Sequence, residues 1–87
     1  MDDETRPDDE TLIARMAAGD SPAVAAFYDR WFPQFTRLAI RLTGESHAGE
    51  DIAQEAVIRV IVGAGSYKSG RAARSWLLAI VYNLARD

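Results

Sequence analysis

The sequence contains no cysteine, which excludes disulfide staples and thiolate metal sites as compensation for a small core. A reducing, cytoplasmic setting is the expected one. Histidine occurs once, as His47, so Glu50, Asp51 and Glu55 lack the His or Cys co-ligands that a transition metal prefers. No nucleophile elbow and no phosphate-binding glycine motif is present. Neither an enzyme nor a bound cofactor is expected. No apolar run approaches the roughly 18 residues that span a bilayer, and the N-terminus is acidic where a signal peptide would be basic. Membrane insertion is therefore not expected either. Alternating strand patterns and internal repeats are also missing, which leaves helices.

With 87 residues the chain is one domain at most, and such a domain buries only about 60% of the surface its unfolded chain exposes. Its net charge of −3 conceals two regions of opposite sign. Met1–Glu10 carries Asp2, Asp3, Glu4, Asp8, Asp9 and Glu10 against Arg6, a net −5, so the remainder sums to +2. With Pro7 and few apolar groups, residues 1–9 read as an acidic disordered leader unable to offset its ordering entropy. A nucleic-acid partner is compatible with the rest of the chain.

Helical periodicity divides the remainder into about four segments. Asp9 or Thr11 can cap a short helix with Leu12, Ile13, Met16 and Ala17 at helical spacing, and Gly19 ends it. Ser21 as cap and Pro22 at the first helical position open the longest helix, in which Val24, Phe27, Tyr28, Trp31, Phe35, Leu38 and Leu42 form the apolar stripe. Pro33 lies inside it and should kink or split it, because proline removes one backbone bond and crowds the carbonyl of Asp29. Gly44 stops the run. Ser46 is the expected cap of an acidic helix that Gly63-Ala64-Gly65 ends. Residues 66–74 read as a loop, and Ser75 or a neighbour opens the last helix. The expected fold is all-α, a compact bundle with a kinked long second helix.

Two faces remain once the core arcs are assigned at 100° per residue. On the acidic helix Ile52, Ala53, Ala56, Val57, Val60 and Ile61 share the core arc. The opposite arc collects Asp51, Gln54, Glu55, Ile58 and Val62. Apolar groups among carboxylates suit docking of a basic, partly apolar partner; the plainer reading is a surface half-covered by the leader or the first helix. On the last helix Leu77, Ile80, Val81 and Leu84 face the core, leaving Trp76, Ala79, Asn83 and Arg86 together. The preceding loop adds Tyr67, Lys68, Ser69, Gly70, Arg71 and Arg74. Cations attract phosphate, and an aromatic plane beside an amide suits an unstacked base, so single-stranded nucleic acid fits better than duplex. The competing reading packs Trp76 on the long helix and leaves Asn83 as a local cap.

The chain resembles region 2 of bacterial sigma-70-type RNA polymerase sigma factors, extracytoplasmic-function group, from about Glu10 to Asp87. The likeness rests on Leu12-Ile13-Ala14-Arg15 with Gly19-Asp20, on Phe27-Tyr28-Asp29-Arg30-Trp31, on Glu50-Asp51-Ile52-Ala53-Gln54-Glu55, and on Ser75-Trp76-Leu77 with Asn83-Leu84-Ala85. It implies a region 2 domain over 10–87 that docks on the clamp coiled coil of the polymerase largest subunit. Asp51, Gln54 and Glu55 are then polar anchors and Ile58 an apolar one. It further implies capture of the non-template strand of the promoter minus-ten element, with Tyr67, Lys68, Ser69, Gly70 and Arg71 lining a base pocket. Trp76 and Asn83 would lie at the edge of the melted duplex, with Arg74 and Arg86 contributing to the DNA-binding set. Relatives usually continue into a second helical domain, region 4, so the sequence reads as a piece of a longer protein. An anti-sigma factor is a further implied partner.

The sequence departs from the family's usual pattern at Val57 and Ile61, where many relatives have aromatics, and at Gly63-Ala64-Gly65, where they have polar or basic residues. The alternative is a sigma-like helical interaction module that binds a regulator without DNA. A helix-turn-helix repressor is disfavoured, since no short turn joins two helices with a basic recognition face.

Overall fold

The computed structural model describes residues 6–68 and 72–86. Four helices follow one another: α1, Asp9–Ala17; α2, Ser21–Thr43; α3, Ser46–Gly63; and α4, Ala73–Arg86, with a 3₁₀ turn at Ala64–Ser66 after α3. No strand occurs among the described residues. The fold is the all-α bundle that the periodicity indicates.

The bundle is built around α2. Its aromatic stripe is buried, with Phe27 and Phe35 at zero exposure and Trp31 nearly so. Phe27 meets Phe35 edge to face at 6.1 Å, and Trp31 tilts against Phe35 at 5.6 Å between centroids. Burying each such side chain contributes about 1.5–3 kcal/mol relative to exposure. Leu12, Ile13 and Met16 of α1, Ala53, Ala56, Val57 and Val60 of α3, and Leu77 and Val81 of α4 close the same core. The arc expected for α3 is thus the arc that packs, with Ile52 and Ile61 at its margins.

Pro33 does not split α2, which runs unbroken from Ser21 to Thr43. Its ring is exposed, two residues from both Trp31 and Phe35. The lost backbone bond falls on the side away from the core, and the buried rings on either side hold the helix together.

Three caps differ from the sequence-based expectation. Asp8, not Asp9 or Thr11, caps α1, its carboxylate accepting from the Thr11 amide at 2.8 Å. Asp20 occupies the cap position of α2 without a side-chain bond, and Ser21 is already helical. Glu45 caps α3, accepting from the amides of Ala48 and His47, with Ser46 the first residue inside. Each cap position falls at least one residue earlier than expected.

Pro7, Asp8 and Asp9, counted with the acidic leader in the sequence, are engaged by the bundle. The Arg30 guanidinium donates to the Pro7 carbonyl at 2.7 Å and to the Asp9 carboxylate at 3.0 Å, and Trp31 Nε1 donates to the same Asp9 oxygen at 2.8 Å. Acids that look like a solvated run therefore serve as a cap and as the partner of a buried indole. Negative charge in the first turn is also favoured by the helix dipole.

Candidate functional site

The outward side of α3 is an acidic and apolar column. Asp51, Gln54 and Glu55 are all exposed, and Ile58 and Val62 stand 53% and 80% exposed one turn apart. This exposure follows from how α3 packs: it turns small side chains toward α2, and at Gly49 the helices come so close that a Cβ would lie 2.8 Å from the Ile40 backbone nitrogen. The larger Ile58 and Val62 are left in solvent, uncovered by the first helix.

Local bonds on this face are weak. Arg59 Nε donates to Glu55 at 3.1 Å, an exposed i,i+4 pair worth about 0.3–0.5 kcal/mol. Gln54 reaches the Tyr28 hydroxyl at the long distance of 3.5 Å, and Tyr28 in turn stacks on Phe32 at 4.7 Å. Asp51 has no ion pair among the described residues. Tyr28, which sequence reasoning assigned to the core, thus borders the acidic face.

The second region lies where the 3₁₀ turn meets α4. The Tyr67 ring tilts against Trp76 with centroids 5.0 Å apart, and the Tyr67 hydroxyl donates to Glu10 of α1 at 3.1 Å. Trp76 is half-buried and lies over Gly63. Tyr67 is therefore held on two sides and is not a free stacking platform. It helps line a cleft of about 460 Å³ with Glu10, Thr11, Ile13, Ala14, Ala17, Ala64 and Gly65, within the roughly 300–1,000 Å³ typical of ligand sites.

Lys68, Asn83 and Arg86 are exposed. Asn83, seven residues after Trp76, falls on the same flank of α4. Ser69, Gly70 and Arg71 lie outside the described residues.

Arg74 does not join this corner. Two positions from Trp76 on a helix is about 160° around the axis, and its guanidinium carbon sits 5.5 Å over the Trp31 ring, beside α2. A helix starting near Ser75 would leave Arg74 in the loop with Tyr67; with α4 opening at Ala73, the arginine is already committed to the opposite flank. There it lines a groove with Gln34, Arg37, Leu38, Arg41, Leu78 and Tyr82. Sequence reasoning missed Arg37, Arg41 and Tyr82. The signal was available: between Asp29 and Glu45 the chain has three arginines and no acid.

One pKa shift is clear. Hydrogen bonds from Thr11, hydroxyl first and amide second, hold the Asp8 carboxyl below its ordinary value of 3.8. It belongs to a cap and not to either exposed face.

Comparison with known proteins gives a consistent result. The family described as Sigma-70 region 2 matches residues 27–87. The chain is 37% identical over 75 residues to the ECF RNA polymerase sigma factor SigW of Bacillus subtilis, covering 86% of this chain and 40% of that protein. It is 35% identical over 79 residues to the ECF RNA polymerase sigma factor SigM of Mycobacterium tuberculosis, covering 91% and 40% respectively. With SigL of the same organism the identity is 30% over 80 residues, covering 86% and 43%. The chain thus spans about two-fifths of the length of the relatives it matches. No solved structure matches.

Proposed function

Because the chain belongs to the sigma-70 region 2 family, in its extracytoplasmic-function group, we propose that it acts in transcription initiation as a promoter-recognition and melting domain. In this role α3 docks on the clamp coiled coil of the RNA polymerase largest subunit. Asp51, Gln54 and Glu55 meet basic groups there, and Ile58 fills an apolar depression. The observation that carries the reading is the exposure of Ile58 and Val62 beside Asp51 and Glu55. Exposed branched side chains at i,i+4 gain from burial against a partner, and flanking carboxylates select a cationic one.

The other half of the proposal concerns DNA. Tyr67, Lys68, Ser69, Gly70 and Arg71 would surround an extruded base of the non-template minus-ten strand, while Trp76 and Asn83 bound the end of the duplex and Arg86 supplies a phosphate contact. Opening a duplex breaks no covalent bond. Stacking and phosphate contacts to the released strand offset the few kcal/mol of unstacking. Arg74, on the opposite flank of α4, has no place in that pocket. Tyr67 supports Trp76 from behind and contributes a wall. The family further suggests an anti-sigma partner covering one of these faces, and a cytoplasmic location. No helix among the described residues is long and apolar enough to cross a membrane.

Charge reversal tests the docking half. Asp51→Lys with Glu55→Lys should weaken binding to isolated clamp helices by about a hundredfold or more, since like charges facing one another cost several kcal/mol. Helix content by circular dichroism should not change. Undiminished binding would refute α3 as the docking element. The second reading, an interaction module that never touches DNA, is favoured by the engagement of Tyr67 with both Trp76 and Glu10. It requires that Trp76→Ala and Arg71→Ala leave promoter opening unaffected.

A further inference from the structure

Arg59 stands at odds with the face it borders. It is the only Lys or Arg in α3, against Glu50, Asp51 and Glu55. At about 100° per residue it falls about 40° from Glu55 and about 60° from Val62 around the helix. A partner that covers Ile58 and Val62 and meets the carboxylates therefore meets this cation too. Its side chain is 58% exposed, so packing does not require it. What engages it is Glu55, whose Oε2 accepts from Arg59 Nε at 3.1 Å. Asp51, at the other end of the face, has no ion pair among the described residues.

Such a pair can act on docking in two opposite ways. If Arg59 presets the Glu55 rotamer, removing it weakens binding; if its charge is set against an incoming cation, removing it strengthens binding. Magnitudes decide between them. The pair can bias its carboxylate by no more than its own strength, about twofold for an exposed i,i+4 pair. Two like charges 4 Å apart repel by roughly fivefold even in water, and by more where a partner displaces solvent. The second effect is the larger. A partner cation that takes Oε2 from Arg59 also forfeits the twofold of the original pair.

We infer that Arg59 attenuates docking of α3: it occupies Glu55 in the free domain and repels the same cations that Glu55 and Asp51 attract. This assignment rests on the reading of α3 as the polymerase-docking element, and it adds to that face a residue that works against the contact. Asp51 attracts a partner cation without internal competition, whereas the pull of Glu55 is partly cancelled by its neighbour. The face is thereby held below the affinity that its carboxylates, with Ile58 and Val62, would give without Arg59. Because the opposing charge is exposed at the rim, its effect falls mainly on the association rate and is screened by salt.

The test measures association of the chain with polymerase core, without DNA, across a range of salt concentrations. Arg59→Gln removes the charge and keeps a good helix former. At low salt it should associate about fivefold faster than wild type. The gain should shrink to within about twofold near 1 M salt, where the Debye length is about 3 Å. Arg59→Lys keeps the charge and should associate as wild type does. Glu55→Gln should weaken binding by about twofold more in the Arg59→Gln chain than in wild type, because no arginine then offsets the carboxylate. Residue 59 is exposed, so circular dichroism should show the same helix content in each variant. Equal or slower association of Arg59→Gln at low salt would overturn the attenuating role while leaving α3 as the docking element. A gain shared by Arg59→Lys, a gain undiminished at high salt, or a Glu55→Gln effect independent of residue 59 would overturn it as well. If wild type does not bind the core, or binds it equally well with Asp51→Lys and Glu55→Lys, the docking reading fails and attenuation fails with it.

Discussion

A side chain at position 49 has nowhere to go. A Cβ built there would lie 2.5 Å from Cγ1 of Ile40 and 2.8 and 2.9 Å from its backbone nitrogen and Cα. The Ile40 side chain could rotate away, but the α2 backbone cannot without moving α2 off α3. Gly49→Ala gains up to about 1 kcal/mol in helix propensity and incurs an overpacking cost of about 1–3 kcal/mol. Because the obstruction is backbone, the second effect should win, with a net loss of up to about 2 kcal/mol in urea unfolding. Gly65→Ala, where nothing lies within 4 Å, is the control and should be near neutral. A Gly49→Ala chain as stable as wild type would show that the close approach of α2 and α3 is not fixed. The same contact has a functional side, since the approach of α3 determines how far Ile58 and Val62 stand out.

At the scale of the helix, α1 depends on pH through its cap. The folded-state pKa of Asp8 is lowered by its bonds to Thr11, so the cap's contribution is fully present above the ordinary carboxylate value of 3.8 and is lost as pH falls through the lower folded value. The Thr11 amide should lose exchange protection in that acid window. Asp8→Asn retains an acceptor of the right reach and should flatten the dependence; an Asn variant with the same acid transition would mean that another group is titrating.

Helix extents and core arcs were readable in the sequence because they follow from periodicity: Ala53, Ala56, Val57 and Val60 repeat at helical spacing whatever their neighbours do. Caps were not, because a cap is defined by one residue leaving helical dihedrals. Asp20 at φ −81°, ψ 100° and Glu45 at φ −148°, ψ 133° make that turn one position before the serines that look like better candidates. The two exposed faces were half legible for a related reason. Periodicity assigns Arg74 and Trp76 to different flanks, but only the packing of α4 on α2 shows that Arg74 meets Trp31 and joins Arg37 and Arg41.

For the whole molecule, Trp31 links three of the four helices. It is part of α2, its indole nitrogen donates to Asp9 of α1, and its ring receives Arg74 of α4. Trp31→Phe removes the donor and shrinks the ring while keeping an aromatic body in the core. The Asp9 carboxylate retains Arg30, so no acid is stranded. The lost hydrogen bond to a charged group is worth about 1.5–3 kcal/mol, the weaker cation–π contact about 0.5–1 kcal/mol, and an expected total near 2–3 kcal/mol allows for the overlap between them. In a domain of this size each kcal/mol lowers Tm by roughly 4–8 °C. The variant also leaves Trp76 as the sole tryptophan, reporting from the corner where Tyr67 meets α4. If α1, α2 and α4 form one cooperative unit, Trp76 fluorescence and far-ultraviolet circular dichroism should give coincident unfolding curves, both displaced together from wild type. Two separated transitions would mean that the Tyr67–Trp76 corner opens independently of the bundle. The strand-capture site would then be a local element able to rearrange while α3 stays folded on its partner.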